Sequence, residues 1–473
     1  MGSRAPQCGH WVRRFARLAA IGHHGGMQRP VVRLVVLNFN GGALVRRCVA
    51  HLEALDWPRD RLDLVVVDNA STDGSDREVE AEFPAVRVLR SPANRGFPAN
   101  NLAMSDLEGV EYVGLVNNDA FVEPAWLAEL VRELEADPGL GAACPKILLA
   151  SRFVDLTIAT TSWRAPGDGR DLGVRLSGIE VDGVDVFARC GFPEGCYGPE
   201  HGVGPEATFR WTAGRAVVRV PVEPSAPAPS SLSVRLAAVS PTTALLSAGA
   251  EDAKAEVGTT PEWVEVAVEA DPYDVVNNAG SELVTGGWGA DRGFLERDDG
   301  QYDEAQDVFA WCGAGVLFRA DHLRDVGLFD ERFFMYYEDT DLAWRGRAVG
   351  WRFRYTPRAV MRHVHAATSV EGSPMFQHYV ERNRLVMLMK NAPPDMVRRA
   401  IVGFLSATAS YAVRDVLRPL VRAHRPRFAL VRARLGSFVA FLRLVPSLRA
   451  DRRQLRGRQV VPDRMITGWA VQR

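Results

Sequence analysis

Four apolar runs within the first 120 residues each end in polar side chains, and this repetition constrains the fold more than any single motif. Residues 31–37, 62–67, 86–89 and 112–116 are short aliphatic stretches, the form taken by strands buried on both faces. After the first of them, Leu44, Cys48, Leu52 and Leu55 fall on one helical stripe. Such alternation predicts an α/β fold, a mostly parallel central sheet with helices on both faces. The runs end at Asn38 and Asn40, at Asp68 and Asn69, at Asn94, and at Asn117-Asn118-Asp119. Ligands in open α/β sheets bind outside the carboxyl ends of the strands, so these polar clusters describe one cleft.

The pattern breaks after Leu149. Residues 153–276 carry short Val-rich runs, such as 216–222 and 263–268, separated by Gly, Pro and Ser, which predicts an inserted all-β, sandwich-like module. The Pro- and Ser-bearing stretch 223–231 reads as a loop within that module or as a hinge. Beyond Lys390 the pattern is helical, with Ile401, Phe404 and Leu405, and later Phe438, Phe441 and Leu442, as apolar faces. The expected division is a disordered basic leader (1–30), two α/β halves (31–152 and 277–395) around the insertion (153–276), and a basic helical C-terminal region (396–473).

A formal net charge of −1 excludes a globally basic nucleic-acid binder, so nucleic acid is not an expected partner. From Met396 onward, however, 17 arginines face Asp415, Asp451 and Asp463. A basic amphipathic tail suits an anionic membrane surface; the alternative is an ordinary packing tail with solvated arginines. No charge-free apolar run of about 18 residues occurs, so no transmembrane helix is expected. Residues 11–21 make a poor signal peptide, and Met27 is a candidate start. Cys8, Cys48, Cys144, Cys190, Cys196 and Cys312 show no CxxC or zinc spacing. A cytoplasmic setting follows, peripheral on the inner face of the membrane if the tail binds lipid.

The densest chemistry lies at Tyr336-Tyr337-Glu338-Asp339-Thr340-Asp341, with Trp344 and Arg345 following. Crowded carboxylates beside a desolvating aromatic wall raise one another's pKa, so one can act as a base near neutral pH. The alternative is a solvated helix start whose acids are favoured by the N-terminal dipole. The stretch from Asp68 to Ser75 sits where a base or ribose can be hydrogen-bonded, or Asp73 and Ser75 cap the next helix. Asn94-Arg95-Gly96-Phe97-Pro98 places backbone N–H groups and a guanidinium toward phosphate. Asp119 offers one carboxylate to a hard divalent cation, with pyrophosphate oxygens and water completing the shell. In Arg362-His363-Val364-His365 the two imidazoles face the same side of a strand, and their value depends on the fold bringing them to Asp119.

These residues resemble inverting glycosyltransferases of family 2, of the GT-A fold group, and in particular the rhamnosyltransferase-like branch that includes bacterial cell-wall and polysaccharide enzymes. The resemblance rests on residues 36–41, on Val67-Asp68-Asn69-Ala70-Ser71, on Asn94-Arg95-Gly96-Phe97 with Asn101, on Asn117-Asn118-Asp119, on Gly313-Ala314-Gly315 and Gly327-Leu328-Phe329-Asp330, and on Glu338-Asp339. It covers about half of the chain, 31–150 and 277–390. It implies a nucleotide-diphospho-sugar transferase fold, with 31–152 binding the donor and 277–395 binding the acceptor and carrying catalysis.

By that resemblance Asn38, Asn40, Asp68, Asn69, Asn94, Arg95, Gly96, Asn101, Asn117 and Asn118 hold the nucleotide sugar, with Asp68 at the base. Asp119 binds Mg²⁺ or Mn²⁺, joined by His363 or His365. Asp339 is the general base and Glu338 its electrostatic neighbour. Trp311, Cys312, Gly313 and Ala314 form the acceptor wall, and Arg345 holds phosphate or a loop. The implied reaction moves rhamnose or another hexose to a hydroxyl of a glycan or lipid-linked acceptor. Two departures stand out: Asn-Asn-Asp replaces the commoner Asp-x-Asp, and the β insertion is long. A glycan-binding insertion needs Trp163, Trp211 or Trp263 exposed along a groove; otherwise they fill its core. The rival readings are a non-catalytic nucleotide-sugar or glycan binder on the same fold and a nucleotidyltransferase, whose glycine- and lysine-rich phosphate loop is not evident.

Overall fold

A computed structural model describes residues 29–202, 208–224, 227, 229–364 and 372–472. Met27, Cys8, nearly all of the leader 1–30, and His365 lie outside the described residues. The chain forms two compact units, Leu149–Val275 and the remainder, Met1–Leu148 with Val276–Arg473. The α/β core, the inserted all-β module and the helical C-terminal region expected from the sequence are the architecture observed.

The larger unit is built on strands β1 (Val32–Asn38), β2 (Leu62–Asp68), β3 (Arg87–Arg90), β4 (Tyr112–Asn117), β5 (Ala120–Val122), β6 (Leu140–Leu149), β7 (Gly315–Arg319) and β8 (Arg352–His363). The main sheet runs β8–β6–β7–β4–β1–β2–β3, with the short strand Gln306–Asp307 outside β8. Val32, Leu34, Val35 and Val36 of β1 are all buried, because a central strand covered on both faces has no polar side. Helices α1 (Gly42–Glu53), α2 (Ser75–Glu82) and α3 (Trp126–Ala136) connect the first strands; α1 seats Val45, Cys48, Val49 and Leu52 inward.

β1 pairs in parallel with β2 and β4, and β2 with β3. The chain thus proceeds outward from β1 to β3 and returns on the other side of β1 as β4. That reversal opens a crevice at the carboxyl ends of β1 and β4, where Asn38 and Asn117 stand. On the far side of β4 the pairing is antiparallel: β7 lies between β4 and β6, and β8 pairs with β5 so that His363 lies opposite Ala120.

Helix α4 (Glu338–Ala348) carries the acidic cluster. Helix α5 (Pro374–Asn391) starts where Ser373 Oγ accepts from Phe376 N, with Pro374 at its first position. Helix α6 (Pro394–Ala412) continues through a π turn to Val421, and α7 (Ala429–Arg458) packs back against α5. The expectation of no membrane-length apolar segment is corrected here. Pro394–Val421 is long and apolar enough to cross a membrane by length and composition, since residues 400–413 carry no charge and the flanking arginines had masked the run.

The smaller unit is a nine-stranded antiparallel sheet. Its strands form one continuous hydrogen-bonded sheet, and a bridge from Ala248 to Val268 links the end of strand Thr242–Ser247 to that of strand Glu262–Ala267. Its core is aliphatic, with Val154, Leu156, Val218, Leu232 and Val234 inside. Trp211 is buried, whereas Trp163 and Trp263 keep about 36% and 46% of their surface in solvent, so neither core filling nor an exposed groove describes all three.

One buried polar hub fixes α4 to α5. Asp341 is fully buried; its Oδ2 accepts from Lys390 Nζ at 2.9 Å and from Arg345 Nε at 2.9 Å, and its Oδ1 from Asn391 Nδ2 at 2.8 Å. Lys390 also reaches Asp330 Oδ2 at 2.5 Å. Burial would push both carboxyls up, but the surrounding cations outweigh it and hold both below the usual carboxylate range. Their contribution to stability is therefore present above an unfolded pKa near 4 and is lost as pH falls. Lys390→Met should cost about 3–5 kcal/mol in urea unfolding at pH 7, because it strands buried carboxylates. The gap from the parent should narrow below about pH 4, as those carboxylates protonate.

Candidate active site

The strand-end asparagines hold one another before they can hold a ligand. Asn38 is fully buried; its Nδ2 donates to Asp68 Oδ1 (3.2 Å) and Ser75 Oγ (2.9 Å), and its Oδ1 accepts from Gly41 N and Asn118 Nδ2 (both 3.2 Å). A Cβ on Gly41 would lie 2.4 Å from Asn38 Oδ1 and 2.6 Å from Asn118 Nδ2, so the bend after β1 requires glycine. Asn69 is also buried: its Nδ2 donates to Asn94 Oδ1 (3.0 Å) and Gly96 O (3.1 Å), and its Oδ1 accepts from Arg95 N (2.8 Å). Asn101 bridges both backbone groups of Phe329, at 2.8 and 3.2 Å. Asn38 and Asn69 thus act as scaffold, their amide hydrogens being used within the fold, and Asn101 ties Phe329 in place.

Asn40 is exposed in the left-handed region at φ 50°, and its Oδ1 accepts from Thr72 N at 2.8 Å. Asp68 accepts one bond on each oxygen, from Asn38 Nδ2 and from Ser71 N, so its carboxylate keeps acceptor capacity toward the cleft. Asp73 takes the capping part, accepting from Ser75 N at 3.1 Å and from Gly42 N at 3.0 Å. The exposed Arg95 guanidinium reaches Glu331 at 4.0 Å.

Asp119 sits in the turn between β4 and β5, nearly buried, and its Oδ1 has no hydrogen-bond partner among the described residues. His363 Nε2 at the end of β8 lies 3.1 Å from that atom, while His363 Nδ1 meets Asn277 Oδ1 at 2.9 Å. With Nδ1–H donating to Asn277, a neutral ring turns its Nε2 lone pair on the carboxylate. Two lone-pair atoms at that separation call for a proton or a cation between them. An orphaned carboxylate oxygen beside an imidazole nitrogen, oriented by a second amide, fits a divalent cation. Among the described residues no group of three or more His, Cys, Asp or Glu converges on one ion, so further ligands would come from diphosphate and water.

The acidic pair rides on a strained loop. Phe334, Tyr336 and Tyr337 adopt positive φ of 63°, 67° and 70°, costly for aromatic residues. Asn383 Nδ2 from α5 faces the carbonyls of Phe333 (2.8 Å), Met335 (2.7 Å) and Tyr336 (2.9 Å), sharing its two protons among them. Phe334 O accepts from Phe97 N at 2.7 Å, and a Cβ on Gly96 would lie 1.9 Å from that oxygen. Gly96 is required there by the close approach of the two halves.

Glu338 is buried, and its Oε2 has no hydrogen-bond partner among the described residues. Burial, then the neighbouring Asp339 charge, pushes its carboxyl well above the ordinary range. Asp339 keeps part of its surface open; burial raises it to about 6, against hydrogen bonds from Thr340 N and Thr340 Oγ1 to its Oδ1 and with the Asp291 charge adding to the rise. Burial and mutual repulsion thus raise both carboxyls, and of the two Asp339 is the one that keeps part of its surface open. Burial, with the Asp291 and Asp339 charges adding to it, pushes up the half-buried Cys312 thiol, while Ala314 O accepts from Asn117 N at 3.0 Å and Gly313 abuts the Phe97 ring. The segment 312–314 therefore connects the acidic pair to the Asn117–Asp119 corner.

Two expected acceptor residues are corrected. Trp311 is 1% exposed in an aromatic core with Phe318 and Phe353, at 4.9 and 4.7 Å between ring centroids. Arg345 spends its guanidinium on Asp341 and on the carbonyls of Val326 and Leu328, so it holds the loop, not phosphate. The hairpin Ser281–Val284/Trp288–Asp291 went unnoticed in the sequence. It brings Asp291 near Asp339 and shows Trp288, 40% exposed, backed by Arg384 at 3.9 Å. Its signal was Gly286-Gly287-Trp288-Gly289, an aromatic residue among turn glycines. Asn277 and Asn383 had no local signal.

Residues 34–170 match the model of glycosyl transferase family 2, and residues 287–400 that of glycosyl transferase family group 2. A 62-residue stretch is 44% identical to N-acetylglucosaminyl-diphospho-decaprenol L-rhamnosyltransferase of Mycobacterium tuberculosis, in strains CDC 1551 / Oshkosh and H37Rv. That stretch is 13% of this chain and spans about a fifth of those relatives' length. Among solved structures, similar chains are GalNAc-T7 with UDP, GalNAc and Mn²⁺ (11% identity, 87% of this chain and 55% of that one, TM-score 0.42), the mannosyltransferase PcManGT from Pyrobaculum calidifontis with GDP-Man and Mn²⁺ (14%, 97% and 86%, 0.35), and S. aureus TarS 1-349 (12%, 93% and 90%, 0.37).

Asn277→Ala should weaken Mn²⁺ binding, measured by calorimetry, about 10- to 100-fold, because His363 loses the group that orients it. Asn383→Ala should lower kcat by about tenfold to a hundredfold through displacement of the loop, with donor KM nearly unchanged in steady-state assays.

Proposed function

We propose that this chain, a member of glycosyl transferase family 2 by the models matching its two α/β segments, transfers a hexose with inversion from a nucleotide-diphosphate donor to a hydroxyl of a cell-wall or polysaccharide acceptor. The observation that carries this reading is the junction of two loops: Phe97 N bonds Phe334 O, joining the strand-end crevice to the loop that presents Asp339 beside the buried Glu338. Rhamnose as the sugar and a lipid-linked acceptor are favoured by the 62-residue likeness to a decaprenol-linked rhamnosyltransferase.

In this mechanism Asp339 accepts the proton of the acceptor hydroxyl while that oxygen bonds to the anomeric carbon. The carbon–oxygen bond to the diphosphate breaks on the opposite face, and the bonding pair leaves with the diphosphate. Thr340 occupies Asp339 Oδ1, which leaves Oδ2 for the acceptor. Glu338, held neutral, adds no second charge against the incoming proton. The exposed Arg95 guanidinium faces the phosphates, the backbone N–H groups of its loop being used on Asn69, Asn94 and Phe334, and Asp68 faces the base. Asp119 and His363 would hold Mg²⁺ or Mn²⁺, which supplies positive charge against the charge growing on the leaving group. Trp288 takes the part of acceptor-facing aromatic first given to Trp311.

Mass spectrometry of the purified protein with a panel of nucleotide sugars, with Mn²⁺ or Mg²⁺, tests the reading. Transfer or donor hydrolysis is expected; donor binding without turnover would instead favour a non-catalytic binder. Asp339→Asn should lower kcat by about two to four decades while donor affinity stays near the parent value. Because the base works deprotonated, kcat/KM should rise with pH along a limb centred near 6, the value to which burial raises Asp339.

A further inference from the structure

The helical C-terminal region shows water an apolar face that its own fold leaves uncovered. On α6, Met396, Ala400, Phe404 and Thr408 point inward, with Phe404 stacked on Phe438 of α7 at 5.5 Å. The opposite side exposes Val402, Leu405, Val413, Leu417, Leu420 and Val421, whose separations of mostly three, four or eight residues keep them on one broad side of the helix. On α7, Leu435, Val439 and Leu442 continue an exposed apolar surface. Single exposed aliphatics are ordinary, but a continuous stripe marks a docking surface.

Charge identifies the occupant. Residues 414–432, around the turn between the two helices, contain Arg414, Arg418, Arg422, Arg425, Arg427 and Arg432 against Asp415, and all six arginines are exposed. Elsewhere in the tail arginines are sparser along the chain, and several are engaged by the larger unit: Arg434 with Glu381, Arg456 with Asp463, and Arg458 with Asp325. The basic surplus is thus concentrated where the apolar stripe ends. Aliphatic side chains within a ring of arginines match the boundary between acyl chains and phosphate headgroups.

We propose that the α6–α7 hairpin lies flat in the surface of an anionic lipid bilayer, with Leu405, Val413, Leu417 and Val421 inserted and the arginines at the headgroups. In-plane docking is favoured over a span because the inner stripe of α6 is already packed on α7. A crossing would strip that packing and carry the Arg414–Asp415 pair into the bilayer core. The inference is independent of the sugar-transfer reading.

Flotation of the full-length protein with phosphatidylcholine vesicles, with and without phosphatidylglycerol, tests it. Binding is expected to the anionic vesicles, to weaken with salt, and to fall about tenfold or more in Arg418→Glu/Arg422→Glu and in Leu417→Glu/Val421→Glu. Circular dichroism and donor turnover matching the parent would show that both variants fold. Equal binding to neutral vesicles, no binding of the parent, or unchanged binding of the folded variants would overturn the proposal. A parent dimer that Leu417→Glu/Val421→Glu dissolves, without vesicle binding, would assign the face to a second copy. Resistance to alkaline extraction would show a span and overturn in-plane docking.

Discussion

Asn383 is the residue on which the geometry of the site depends. Left-handed conformation costs each of Phe334, Tyr336 and Tyr337 about 1 kcal/mol or more, so residues 333–337 would not hold this shape unaided. Asn383 supplies donors to three of the loop's carbonyls. Ring contacts of Phe334 with Tyr379 and of Tyr336 with Phe376, both at 5.1 Å, add to the restraint. With the loop bent, α4 begins at Glu338, inside the protein. The acids do stand at a helix start, as the bland reading of the sequence had it, but that start is buried. A helix N-terminus favours ionised acids by about 2 kcal/mol at most when partly buried, roughly 1.5 pH units; burial nevertheless lifts Asp339 from the usual range to about 6 and so decides the sign.

The parallel part of the sheet was readable because each of its strands is a local apolar run with a helix after it. The antiparallel part was not. β7 and β8 follow the insertion, and their pairing with β4, β6 and β5 leaves no trace in sequence separation or period. Depth was also hidden: Trp311 stands next to a glycine-bearing motif, yet its environment is fixed by Phe318 and Phe353, which reach it through the tertiary fold. The clearest failure concerns asparagine. A sequence shows that an amide is present at a strand end but not whether its donors and acceptor are already used, and in Asn38 and Asn69 they are.

Neutral amides give the crevice its character. Where a carboxylate would add negative charge beside a diphosphate, Asn38, Asn69, Asn117 and Asn118 bring rigid dipoles with no net charge. The charge is left to Asp68 and Asp119. Asn117 Nδ2 stands 3.5 Å from His363 Nε2, so the position that is acidic in Asp-x-Asp relatives here borders the imidazole. One carboxylate and one imidazole make a softer and less charged corner than two carboxylates, consistent with Asn277 being needed to fix the ring.

Helix α5 connects the two functional regions. It sends Asn383 to the acid loop and Lys390 to Asp341, and it backs α7, which in turn carries α6. Packed helices lie about 8–10 Å apart, so a hairpin resting on a bilayer would place the acid loop no more than about 20 Å from the headgroups, counting two helix layers. A hydroxyl attached to a lipid through a diphosphate and a sugar ring lies within reach of that height, whereas a glycan free in solution gains nothing from it. The tail's arginines divide accordingly. Arg452, Arg456 and Arg458 tighten α7 onto the larger unit through Asp325, Asp463 and the carbonyls of Met389 and Asn391, and those around the hairpin turn are left facing outward.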